Sequence, residues 1–81
     1  MNTVSTVFIE LKGEDAKTLL LRLATHLKTR DGCKTLRLLE STVEADLYLL
    51  VVDLAADETL PPLPPGARVW TFKPLSLGLG T

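Results

Sequence analysis

The sequence predicts an α+β domain built from one helix and four strands. Three observations carry that reading. A single helical apolar stripe runs between Glu14 and Arg30. Four other segments are rich in β-branched or alternating apolar residues. Prolines 61, 62, 64 and 65 interrupt the chain between the third and fourth of these, where neither a helix nor a ladder strand tolerates them.

In chain order, Thr3 to Leu11 reads as the first strand, with Val7, Ile9 and Leu11 on one face and Val4, Thr6, Phe8 and Glu10 on the other. Glu14 to about Arg30 reads as the helix. Ala16, Leu19, Leu20, Leu23, Ala24 and Leu27 fall at the spacings of one stripe. Glu14 and Asp15 are expected in its first turn, Lys28 and Arg30 near its end, and Gly32 as a cap residue. Leu21 lies off the stripe by roughly 130°, so it is expected at the surface or against something outside the monomer.

Cys33 to Ser41 reads as the second strand, with Leu36 and Leu38 on one face and Cys33, Arg37 and Leu39 on the other. A turn over Thr42 to Ala45 follows. Asp46 to Leu54 reads as a third strand, apolar on both faces, which is the pattern of a central strand covered on both sides. The prolines favour an extended segment, and twelve residues at about 3.1 Å each reach far enough to cross the sheet. Ala67 to Lys73 reads as the fourth strand, with Arg68, Trp70 and Phe72 on one face. Residues 1–75 are thus expected to form one domain and 76–81 a flexible tail.

Composition excludes several classes. The chain has 81 residues, of which 46% are hydrophobic and 23% charged, the balance of a folded domain. One cysteine permits no internal disulfide, and one histidine with one cysteine falls short of the usual zinc sites. Lys plus Arg number 9 against 10 Asp plus Glu, so no basic excess points to nucleic acid. No apolar run reaches the length of a membrane span, and residues 1–5 lack the pattern of a signal peptide. A cytoplasmic protein without metal or cofactor is expected.

The order strand, helix, strand, strand, proline crossover, strand is a truncated ferredoxin-like plan with an extended connection in place of the second helix. One helix covers one face of a four-stranded antiparallel sheet. The other face of the third strand, with Phe8 and the aromatic residues of the fourth, stays apolar and bare. A domain this small buries only about 60% of its unfolded surface. The simplest remedy is a homodimer of facing sheets.

Val7-Phe8-Ile9-Glu10, the helix running through His26-Leu27 to Asp31-Gly32-Cys33, then Leu36-Arg37-Leu38-Leu39-Glu40-Ser41 and Asp46-Leu47-Tyr48-Leu49-Leu50-Val51-Val52 together resemble the dimeric α+β barrel superfamily. The closest likeness is to its antibiotic biosynthesis monooxygenase-like members, and it spans roughly residues 4–54. The resemblance implies a ferredoxin-like dimer and leaves two functions open. One is a ligand-binding or interaction protein. The other is a cofactor-free oxygenase-like enzyme acting on a small aromatic or haem-like molecule. It transfers no catalytic motif, and the chain departs from the family plan where prolines replace the second helix. Ala45-Asp46-Leu47-Tyr48 is also similar to the ligand-binding module of Lrp-like regulators, but no residues for their DNA-binding helix-turn-helix are present.

Few residues carry candidate chemistry. His26, the only imidazole, is the candidate general base, against the plainer reading of a histidine at the stripe's edge. Tyr48, Trp70 and Phe8 are candidates to line a pocket for an apolar or aromatic ligand, against the plainer reading of core or interface aromatics. Cys33 follows a helix end, which disfavours a thiolate, so an inert thiol is expected. Arg37 and Arg68 suit a carboxylate, and pairing with Glu10 or Glu40 is the simpler expectation. The proline pairs match the PxxP pattern bound by SH3-type grooves, but a rigid crossover explains them without a partner. The overall expectation is a small homodimeric ligand-binding or interaction protein.

Overall fold

The computed structural model describes residues 4–75. Strand β1 spans Val4–Lys12, helix α1 Ala16–Lys28, strand β2 Cys33–Glu40, strand β3 Leu47–Ala55 and strand β4 Arg68–Phe72. They form one open antiparallel sheet in the order β2-β3-β1-β4. The expected α+β class and four-stranded antiparallel sheet are therefore present. The expected tail, residues 76–81, lies outside the described residues.

The core lies between α1 and one face of the sheet. Ile9, Leu20, Leu27, Leu50 and Val52 are fully buried there, with Val7, Leu11, Ala16, Leu23 and Leu54 close behind. The register explains the selection. Val7 pairs with Val52 and Ile9 with Leu50, so the odd positions of β1 share a face with the even positions of β3. Leu60, Leu63 and Ala67 of the long connection pack against the same core. Leu21 is exposed, as its place off the stripe requires.

Two expectations are corrected. The helix begins at Ala16 and not at Glu14. Asp15 is its N-cap residue, and its first turn holds no acid. Residues 13–15 are used to reverse the chain: Gly13 sits at φ 141°, a conformation that favours glycine, and its carbonyl accepts the Ala16 N–H at 3.1 Å. The Gly13 N–H in turn donates to the Asp46 carbonyl at 2.9 Å. That bond ties the start of the helix to the β2–β3 turn, where Asp46 itself adopts φ 62°. Second, Cys33 does not share a face with Arg37 and Leu39. The register shifts between Cys33 and Thr35, and Cys33 pairs with Leu54. This bulge turns Cys33 to the helix side, where it packs against the core.

The helix end and the long connection meet at Gly32. Its buried position faces Glu58 so closely that a Cβ would sit 2.1 Å from Glu58 Cγ. The Ala55 N–H donates to the Gly32 carbonyl at 2.8 Å, and Arg30 reaches Glu58 Oε1 at 3.4 Å and the Thr59 carbonyl at 2.7 Å. The glycine leaves room for the Glu58 side chain, which crosses over it to reach Arg30.

Candidate functional site

The side chains of the sheet's second face are set by the strand register. One row across the sheet reads Thr35, Asp53, Thr6, Phe72; the next reads Arg37, Val51, Phe8, Trp70; the third reads Leu39, Leu49, Glu10, Arg68. Within these three rows the apolar members form a diagonal band from Leu39 and Leu49 through Val51 and Phe8 to Trp70 and Phe72; Val4 and Ala55 extend the face beyond Thr6 and Asp53, and Lys12 and Leu47 beyond Glu10 and Leu49. Among the described residues, nothing covers the band. Phe72 is 55% exposed, Trp70 40% and Leu39 37%. Phe8 and Phe72 meet edge to face with centroids 5.3 Å apart.

Polar groups occupy the two corners beside the band. At one, the Glu10 carboxylate lies 3.9 Å from Arg68, whose guanidinium also lies over the Trp70 ring at 5.5 Å. At the other, Asp53 accepts hydrogen bonds from the Thr35 and Thr6 hydroxyls, each at 2.5 Å. These bonds, that of Thr35 foremost, hold its carboxyl below the usual aspartate range. Asp53 is thus an anion held in place, each oxygen accepting one hydrogen bond. Arg37 is exposed on the same face, and no carboxylate among the described residues lies within ion-pair distance of it.

The sequence-predicted site residues are divided among three surfaces. Trp70 and Phe8 are adjacent on the open face. Tyr48 pairs with Leu11 and belongs to the opposite, helix-side face. Its hydroxyl lies 3.5 Å from Glu40, and desolvation followed by the Glu40 charge pushes its pKa up. His26 lies on α1, lining a groove of about 430 Å³ between Leu19, Arg22 and Leu23 on the helix and Pro61 to Pro65 of the connection. Its Nε2 is 3.4 Å from the Arg30 guanidinium, and no carboxylate lines that groove. The four residues therefore do not converge on one cavity.

Cys33 is half-buried, and desolvation, then the Asp53 and Glu58 charges, raise its thiol pKa. That environment favours the protonated thiol. Among the described residues, no three His, Cys, Asp or Glu side chains are placed to hold a metal ion, and no helix is long and apolar enough to cross a membrane.

The Thr6–Asp53–Thr35 group is the feature that residue-by-residue reading missed. Its signal was an aspartate in an otherwise apolar strand, but the two hydroxyls come from strands 18 and 47 positions away. Only the sheet register brings them together. No family model, no curated protein and no solved structure matches the chain.

Proposed function

We propose that this chain is a homodimeric interaction or ligand-binding module whose two copies join through the open faces of their sheets. The observation that carries the proposal is the uncovered apolar diagonal. Four strands spaced about 4.8 Å apart, with strands rising about 3.3 Å per residue, make a face of roughly 500 Å² in projection. That is the order of the ~800 Å² per partner buried in a standard interface, and is of the size of weaker ones. Phe8 lies on a central strand of that face and Trp70 and Phe72 on its edge strand, and interface cores are enriched in aromatic residues.

The strand order supports a ferredoxin-like plan in which the proline connection stands for the second helix. Pairing of sheets also supplies the burial that a domain of this size lacks. The test is native mass spectrometry and sedimentation at low micromolar concentration. A species near twice 8.8 kDa is expected. A monomer under those conditions would overturn the proposal.

A further inference from the structure

The open face constrains how a second copy fits, and this step rests on the dimer proposed above. Its apolar band runs diagonally: from Phe72 to Leu39 it crosses from β4 to β2 while climbing two rows. With strands about 4.8 Å apart and rows about 6.7 Å apart, the band lies at roughly 45° to the strands. Facing copies are related by a two-fold axis lying between the sheets. An axis parallel to the strands fails. It lays Glu10 and Arg68 on the partner's Leu49 and the partner's Leu39, and Arg37 on the partner's Trp70. Arg37 of each copy would then lose water with no ionic partner, and each Glu10–Arg68 pair would be pressed onto leucines, a costly arrangement.

Band can meet band only when the axis runs along the diagonal or across it. Either choice turns the strands of one copy by about 90° relative to the other, which is the orthogonal class of sheet packing. Either choice also brings Arg37 within about 4 Å, in the plane of the sheets, of an acid. Along the diagonal that acid is the partner's Glu10; across it, the partner's Asp53. Among the described residues, Arg37 is an open-face cation with no carboxylate in ion-pair range, and Asp53 is an anion fixed in place by two hydroxyls.

We propose that Arg37 is the intersubunit cation: two copies stack their open faces with strands crossing near 90°, and Arg37 of each forms an ion pair with a carboxylate on the partner's open face. The pair fixes register; the apolar band supplies the burial.

The experiment uses the full chain and three charge reversals, Arg37→Glu, Glu10→Lys and Asp53→Lys, with folding checked by circular dichroism. Each Arg37→Glu homodimer faces two like-charge contacts, and dimerisation is expected to weaken at least about tenfold. Mixing Arg37→Glu with the matching lysine variant creates two attractive contacts, so one mixture should give heterodimer in excess over either homodimer by native mass spectrometry. Salt offers a readout independent of whether the lysine variants fold. The wild-type dimer should weaken between 50 and 500 mM NaCl, on the Debye-screening argument, and Arg37→Ala should flatten that dependence. If Arg37→Glu dimerises like wild type and Arg37→Ala leaves the salt dependence unchanged, Arg37 is not at the contact and the assignment falls while the dimer stands. A wild-type monomer would remove both.

Discussion

The two faces of the sheet are built from similar residues and have different fates. On the helix side, Ile9, Leu50 and Val52 are fully buried. One residue away along the same strands, Phe8, Leu49 and Val51 point to the face that the chain leaves open. The open face carries the larger side chains, Trp70 and Phe72 among them, yet these are 40% and 55% exposed. Hydrophobicity alone therefore does not choose the core. The helix chooses it, because its stripe can cover only one side of the strands to which it is tethered. What differs on the open face is the pattern: a band bordered by charges, where the covered face is apolar from β2 to β1 in its two central rows, Leu36-Val52-Val7 and Leu38-Leu50-Ile9.

The sharpest way to break this comparison is the same kind of deletion on both faces. Leu50→Ala, on the covered face, removes a fully buried side chain and should cost about 2–5 kcal/mol in urea unfolding. For a domain this small that is a large part of its total stability. Val51→Asp, one residue further and facing outward, should leave the helical circular dichroism intact. It should weaken dimerisation at least about 30-fold by sedimentation, the scale of about 2 kcal/mol at an interface centre. If Val51→Asp instead unfolds the chain and leaves no dimer to measure, Leu49→Lys gives the same reading at a neighbouring position. A Val51→Asp protein that dimerises normally would show the open face to be free.

Gly32→Ala tests how the covered face is closed. The added methyl would collide with the Glu58 side chain, which must swing aside and give up its contact with Arg30. Losing that ion pair costs on the order of 1 kcal/mol, so a drop in Tm of a few degrees is expected, and an unchanged Tm would mean that the Glu58 side chain yields freely. Asp53 gives the smallest effect and the most specific one. Its folded pKa is depressed, so its contribution is complete at pH above the ordinary aspartate value. It is lost as pH falls from there through the folded value. Wild type should therefore lose stability progressively below about pH 4, and Asp53→Asn should show a flatter profile over that window. Parallel profiles would mean that the Thr35 and Thr6 bonds contribute nothing to the folded carboxylate.

Much of the fold is legible in the residues because its signals are local. The helical stripe identifies α1 by period, β-branched alternation identifies β1, and the prolines mark the connection. The face assignments of β1, β3 and β4 follow from period two. Where legibility fails, the cause is non-local. Glu14 and Asp15 look like a first helical turn, but the reversal at Gly13 needs those residues. Cys33 changes face because a bulge inserts one residue into the count. Tyr48, Trp70 and Phe8 look alike in composition, and only the pairing of Leu11 with Tyr48 and Phe8 with Trp70 separates them. The candidate site was accordingly the less legible part: His26 stands in a groove apart from the aromatics.

Local rules suffice for the element types, the apolar faces and the extended proline connection between β3 and β4, since period, β-branching and proline sterics act over a few residues. The tertiary structure alone decided the strand order, the bulge at Cys33, the Thr6–Asp53–Thr35 group and the diagonal course of the open apolar band. Each depends on which strands lie side by side and in what register, and that is fixed by contacts between residues tens of positions apart.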